Sequence, residues 1–481
     1  MESYPAQADA MLSHDAHGDT CGDMITKELA FDLSPLKDSY QRMYPNSESL
    51  FYIRLRDLSE EDFMIEYNFD SANTTHTNKT EILQSETPRE ISPEVTDSDM
   101  QELVAGNNRF AFDLYHELRK QEDNLFCSPY SISLALAMAH AGARNETEDQ
   151  MAETCHFTLS QDDLHSAFNA LDLELAERGE NAGGQDEDGF WLNIANSAWG
   201  QKGYAFLPDF LDVLALNYGA GMRLTDFANA PEDSRIMIND WVSGETEGRI
   251  EDLIPKNGVS DLTRLVLVNA VYFNAAWTSQ FREELTLDSD FHLADGSDVT
   301  VPMMRQTDSL SYGEEEDYQA AELMYEGGEM AMLILLPKAG RFEEFEDSLT
   351  AEHLNEILDG LEYRDVELGM PQFRYASDSI RLREILSDMG MPMAFTWPVA
   401  DFSGMDETSD LFISDVLHKS FIPVDEAGTE AAAATSLCFD AGGLPPEELA
   451  AFTVNRPFIF LIRDIHTNTI LFAGCIMNPL D

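Results

Sequence analysis

At 481 residues, with 43% hydrophobic and 10% aromatic content, the chain is long enough for two or three ordinary domains, or for one large domain with an extension. Charge is the outlier: 90 acidic against 29 basic residues give a formal net charge of −61, a surface that repels nucleic acid and anionic membranes and excludes both as expected partners. Only eight of the basic residues are lysines, and acids spread along the whole chain with lysine scarce are the pattern of a halophilic, acidic protein adapted to molar salt, where self-repulsion is screened. The start, Met1 to Pro5, has no basic stretch followed by an apolar run, and no segment has membrane-spanning length. Five cysteines (Cys21, Cys127, Cys155, Cys438, Cys475), odd in number and without close pairs, read as reduced thiols rather than a disulfide framework or a zinc site. These features favour a cytoplasmic protein, with the extracellular space by an unusual export route as the alternative.

In chain order, two strand-like runs come first, Leu50–Leu55 and Asp62–Phe69, separated by an acidic turn. Thr87–Asp99 has few core-forming residues and reads as a linker, which puts a boundary at 98/99: residues 1–98 form an extension of unknown role and 99–481 the main domain. Helical periodicity follows over Leu103–Leu118 and Ser131–Ala143, then apolar strand-like runs over Leu265–Phe273, Met330–Leu336 and Phe458–Ile462. Helices early and strands late, without strict alternation, point to an α+β domain.

The usual catalytic patterns are missing: no G-x-S-x-G, H-E-x-x-H, C-x-x-C, phosphate-binding or dinucleotide-binding glycine motif occurs. His116-Glu117 lacks its second histidine because position 120 is Lys, and the Gln185–Gly189 run fails the calcium-loop spacing and reads as a solvated acidic loop. No metal, cofactor or catalytic residue is expected.

One stretch has two readings: VDEAGTEAAAATSLCFDAGGLPPEE, from Val424 to Glu448. Thr429-Glu430 before Ala431, Ala432, Ala433 and Ala434 reads as a capped helix. Split by the strand period of two, Thr429, Ala431, Ala433, Thr435, Leu437, Phe439 and Ala441 form an uncharged set, while Glu430 and Asp440 fall on the other side. The absence of proline before Pro445 keeps the backbone donors a central strand needs.

From Asp99 to Asp481 the chain resembles the serpin family of protease inhibitors. The resemblance rests on Asn124–Met138 (NLFCSPYSISLALAM), Gly142-Ala143 with Thr147 and Gln150, Ala195-Asn196 with Trp199, Ile238–Val242 and Thr246–Ile250, Leu267–Phe273 (LVNAVYF) leading to Trp277 and Phe281, Met330–Pro337, Met370–Phe373, Asp401–Met405, Ser414–Phe421 and Arg456–Phe460, in the family's order. It implies a serpin fold with a large central β-sheet, further sheets, surrounding helices and an exposed reactive-centre loop in a metastable native state.

By that resemblance the loop hinge comprises Glu426, Gly428, Thr429, Ala431, Ala432, Ala433, Ala434 and Thr435. The seventeenth residue from Glu426 is Gly442, so the reactive bond is Gly442-Gly443, with Ala441 as neighbour. Ser128, Ser131, Asn269 and His418 form a shutter under the sheet, and Trp277 marks the breach at its top. The expected partner is a target serine protease, held covalently. Small residues at the bond suit a subtilisin-like or elastase-like enzyme, and with no Arg or Lys between Glu426 and Glu448 a trypsin-like target is disfavoured. Glycosaminoglycan activation is not expected, because the region near Leu171–Asp188 is acidic, and a monomer is expected. Cys438 reads as a bystander. The rival reading is a non-inhibitory serpin acting as a binding or chaperone-like protein, against which the small hinge residues argue.

Overall fold

The computed structural model describes residues 51–57, 63–69, 81–119, 123–178, 191–406, 410–429 and 449–480. The Ala431–Ala434 run, Thr435, Cys438, Ala441, Gly442 and Gly443, like the acidic Gln185–Gly189 segment, lie outside these residues. The chain divides into two units, Met1–Lys79 and Thr80–Asp481. In the first, β1 (Phe51–Asp57) pairs antiparallel with β2 (Phe63–Phe69), Phe51 opposite Phe69, as the two strand-like runs predict. The second unit begins some twenty residues before the 98/99 boundary drawn from composition, because residues 81–96 pack on the body.

The second unit opens with β3 (Glu81–Leu83), α1 (Asp97–Leu118), β4 (Leu125–Cys127), α2 (Pro129–His140), α3 (Asn145–Thr154) and α4 (Gln161–Ala176). There follow β5 (Trp191–Gln201), α5 (Pro208–Tyr218), β6 (Met222–Thr225), α6 (Pro231–Glu245) and β7 (Leu265–Ala276). Strands then dominate: β8 (Leu287–His292), β9 (Asp298–Glu314), β10 (Tyr318–Met324), β11 (Met330–Pro337), β12 (Glu362–Pro371), β13 (Phe373–Ala376), β14 (Ile380–Arg381) and β15 (Ile413–Val424). The last are β16 (Gly428–Thr429), β17 (Ala450–Thr453), β18 (Phe458–Asp464) and β19 (Ile470–Ile476).

Local chemistry sets the helix starts. Thr96 caps α1 by accepting from the Asp99 N–H at 3.2 Å, and Asp97 and Asp99 in the first turn complement the helix dipole. Ser128 caps α2 and Pro129 occupies its first position, where a missing N–H costs nothing. Every residue of α2 is buried, so this helix lies inside the molecule rather than on it.

Among the described residues the strands form two large sheets. The first has the order β13-β15-β7-β5-β6-β3, with β14 on β15 and β16 on β7. The second has the order β17-β12-β9-β10-β11-β18-β19-β4, with β8 on β9. The main core lies between them and includes Phe126, Ile132, Phe273, Phe460 and Phe472, with Phe472 and Phe460 stacked on Phe126 at 5.1 and 5.8 Å. A second cluster joins α1 to the other face of the second sheet, and a third joins α6 to the outer face of the first through Trp199, Ile238, Val242, Val266, Val268 and Leu417. The run Leu265–Phe273 is apolar on both sides of the strand for that reason: one face meets the main core, the other meets α6.

Candidate functional site

The site is built on a seam in the first sheet. β7 and β15 run parallel, paired from Leu265↔Ile413 to Tyr272↔Phe421, with a register shift between Ile413 and Asp415. Parallel pairing with slanted bonds is the weaker kind of ladder. On its other edge β7 pairs antiparallel with β5, Asn269 opposite Asn196 and Asn274 opposite Trp191. Above Tyr272 the seam is entered by β16, which pairs antiparallel with β7 through Gly428↔Ala276 and Thr429↔Ala275.

The segment just before β16 is pinned in detail. Trp277 donates its backbone N–H to the Ala427 carbonyl at 2.9 Å and its indole N–H to the Asp425 carbonyl at 3.0 Å, and Phe281 donates to the Glu426 carbonyl at 2.9 Å. Asp425 Oδ1 accepts from the N–H groups of Ala427 and Gly428 at 2.9 and 3.3 Å. The Glu426 carboxylate accepts from the Thr286 hydroxyl on one oxygen and from the Gln372 amide on the other. Gly428 has φ 155°, and a Cβ there would sit 2.2 Å from the Ala275 oxygen, so only glycine fits.

Thr429 is fully buried and its hydroxyl lies 3.0 Å from the Tyr325 hydroxyl. Tyr325 is itself fully buried, stacked on Trp277 with centroids 4.6 Å apart and edge-on to Phe273 at 5.0 Å. Burial raises its phenol pKa, so the hydroxyl stays protonated and able to donate. Thr429 belongs to the uncharged set of the period-two split and points inward as that split requires.

Beneath the seam, Ser128 and Ser131 at the start of α2, Asn269 of β7 and His418 of β15 come together from three elements, and Asn196 of β5 joins them. The Ser128 backbone N–H donates to His418 Nε2 at 3.3 Å, which leaves the ring proton on Nδ1, facing Asn269 Oδ1. Asn269 Nδ2 donates to the Ser131 hydroxyl and to Asn196 Oδ1, and Asn196 Nδ2 donates to the Ser131 carbonyl at 3.1 Å. The Ser128 hydroxyl donates to the Leu471 carbonyl at 2.8 Å, tying the cluster to the second sheet. Asn269 and His418 are fully buried, and burial lowers the imidazole pKa to about 3, so the ring is neutral near pH 7. The network therefore closes without charge and crosses the seam from β7 to β15.

Two functional residues carry no local signal in the sequence. Tyr325 lies just past β10 and meets Thr429 only through the fold, and Asn196, although part of a recognised motif, acquires its partners only when β5 lies beside β7. Cys127, Cys155 and Cys475 are buried and unpaired; burial pushes the Cys475 thiol up to about 12, leaving it unreactive.

Together these features define an α+β protein whose first sheet has a parallel seam with a short strand at its mouth. The family model described as Serpin (serine protease inhibitor) matches residues 105–479. An uncharacterized serpin-like protein of Thermococcus kodakarensis is 42% identical over 380 residues, covering 79% of this chain and 86% of its own. The leukocyte elastase inhibitor of Homo sapiens is 39% identical over 391 residues, covering 79% of this chain and all of its own. Among solved structures, the thermophilic serpin tengpin in its native state superposes with a TM-score of 0.72 at 29% identity, covering 82% of this chain and 97% of its own. The chain belongs to the serpin family and has the serpin fold.

Proposed function

We propose that the chain is a suicide-type inhibitor of serine endopeptidases. The observation that carries this reading is the two-residue strand Gly428–Thr429, laid antiparallel on β7 at the mouth of the parallel β7–β15 seam. If the register Thr429↔Ala275 is carried on past the described residues, Ala431 faces Phe273, Ala433 faces Val271, Thr435 faces Asn269 and Phe439 reaches Leu265, the start of β7. The inward positions are then the small or apolar ones, and Glu430 falls on the outer side. A strand there replaces one parallel pairing with two antiparallel ones. At about 1 kcal/mol net per backbone hydrogen bond, some ten inserted residues release on the order of 10 kcal/mol.

The sequence of events follows from that gain. The protease serine attacks the carbonyl of Gly442, the amine of Gly443 leaves with a proton, and an acyl-enzyme forms. The freed segment slides into the seam and carries the protease beyond the start of β7, because Gly442 lies three residues past Phe439. Distortion of the enzyme there keeps water from completing hydrolysis, and the inhibitor is consumed one per target. The clusters around Trp277 and around His418 set how readily the seam opens. The leukocyte elastase inhibitor relative supports an elastase-like target, and the small residues at the bond also admit a subtilisin-like one. The charge of −61 supports action in molar salt.

The test is to mix the purified chain, in high potassium chloride, with an elastase-like and with a subtilisin-like protease, followed by a denaturing gel and mass spectrometry. A band of summed mass that survives denaturation, with a released peptide beginning at Gly443, is expected. Complete cleavage without such a band contradicts the reading and leaves a substrate or a chaperone-like binding protein.

A further inference from the structure

Residues 81–96 join two parts of the molecule that must move apart if the seam opens. β3 adds a strand to the outer edge of the first sheet, pairing antiparallel with β6 through Glu81↔Leu224, Ile82↔Arg223 and Leu83↔Met222. The fit is close: a Cβ on Gly221 would sit 2.7 Å from the Leu83 oxygen. The chain then crosses α5 and α4 in a row of polar sockets. The hydroxyls of Ser85 and Thr87 both donate to Asp212 Oδ1 on α5, Thr87 at 3.1 Å. Arg89 donates to Asn169 at 2.8 Å and to Asp172 at 2.6 Å, both on α4. Asn169, fully buried, donates in turn to the Glu90 carbonyl at 2.7 Å, and the Glu90 N–H reaches the Leu216 carbonyl of α5 at 2.9 Å. At Thr96 the segment becomes the cap of α1, which lies on the second sheet.

The helix that receives Arg89 is itself fixed to the second sheet. Arg178, just past the end of α4, donates to the fully buried Asp464 of β18 at 2.7 Å. On the far side of the seam, β15 is fixed to β4 of the second sheet by the Ser420 hydroxyl on the Phe126 carbonyl at 2.6 Å. A strand entering between β7 and β15 therefore displaces β7, β5, β6 and β3, by one strand spacing of about 4.8 Å. Hydrogen bonds of the length seen in the strap do not survive such a displacement.

We infer that residues 81–91 are a brake on the opening of the first sheet, holding its outer edge to α4 and through α4 to the second sheet, so that the loop does not enter the seam before it is cut. This inference rests on the insertion reading above. It assigns a role to a segment that lies ahead of the residues matched by the family model and whose part from Thr87 on composition alone marks as a linker.

The test uses the full chain with Arg89→Ala and, as a milder change, the pair Ser85→Ala and Thr87→Ala. Each variant is incubated uncut below its unfolding temperature, and the fraction converted to an uncut form of raised heat resistance is followed with time. Conversion at least about tenfold faster than in the unsubstituted chain is expected for Arg89→Ala, the loss of two charge-assisted bonds, and a smaller acceleration for the hydroxyl pair. Arg89→Lys, which keeps the charge and loses the fork, falls between. Unchanged conversion rates overturn the inference. So does a variant that merely unfolds or aggregates at lower temperature without yielding the heat-resistant form, since that marks an ordinary packing role. A companion measurement separates the two readings: the unsubstituted chain, cut once in its loop, gains heat resistance if insertion occurs. Failure of that gain defeats insertion and this inference with it, whereas a gain with unchanged conversion defeats the brake alone.

Discussion

The two sheets share one core and are built to opposite ends. In the second, β9 to β12, β10, β11, β18, β19 and β4 are joined by antiparallel ladders over a stacked set of phenylalanines, with a parallel pairing only at the β12–β17 edge. In the first, a parallel seam runs down the middle of the sheet, and neutral hydrogen-bonding side chains stand beneath it among the apolar ones. The parallel ladder is the weaker kind of pairing, and the polar groups beneath it are held to particular partners rather than free to slide. On the insertion reading, the second sheet is the frame and the first the moving part.

Substitutions in the two sheets should therefore fail differently. The largest effect is expected from Thr429→Arg: a charge at this fully buried position costs several kcal/mol whenever β16 lies on β7, in the intact chain and after insertion alike, so strand entry is opposed, the protease turns the variant over as a substrate and the denaturation-resistant complex disappears from a gel. Phe460→Ala, in the frame, should cost about 3–5 kcal/mol of stability, read as a lower thermal midpoint, while the ratio of trapped to cleaved inhibitor stays unchanged. A change in that ratio would mean that the frame also takes part in the switch.

Acid should act on the moving part. His418 is neutral in the folded chain with its pKa lowered to about 3, below the ordinary value of about 6.5 that the unfolded chain restores. The unfolded state then binds more protons between these values, so the stabilising contribution is complete above about pH 6.5 and is lost as pH falls toward 3, at up to about 1.4 kcal/mol per pH unit. The buried His165, also lowered to about 3, and His140, lowered by burial as well, add to the slope with the same sign. Unfolding midpoints measured from pH 7 to pH 4 should fall, and His418→Gln should flatten the fall by one proton's share. The smallest effect belongs to Tyr325→Phe, which removes one hydroxyl partner from Thr429 and should lower the protection of β16 amides from hydrogen exchange by about 1 kcal/mol.

Much of this division was legible in the residues. The apolar runs that became β7, β11 and β18 announced themselves, as did α1 and α2 and the inward place of Thr429. Ser128, Ser131, Asn269 and His418 were placed together through their motifs. What the residues hid was lateral partnership. Thr87 and Arg89 look like linker because their partners, Asp212, Asn169 and Asp172, lie far along the chain, and a polar segment docked through hydrogen bonds has the composition of a solvated one. Tyr325 and Asn196 were hidden for the same reason: a side chain aimed at a neighbouring strand leaves no mark on its own periodicity.

The central claim, that the native chain holds an unfilled seam awaiting its own loop, is tested most directly by a single proteolytic cut between Glu430 and Glu448 followed by a thermal unfolding curve. The account predicts that the cut protein unfolds at a temperature at least about 10 °C above that of the intact one, because the freed strand fills the seam. A cut protein that unfolds at the same temperature or lower would contradict it.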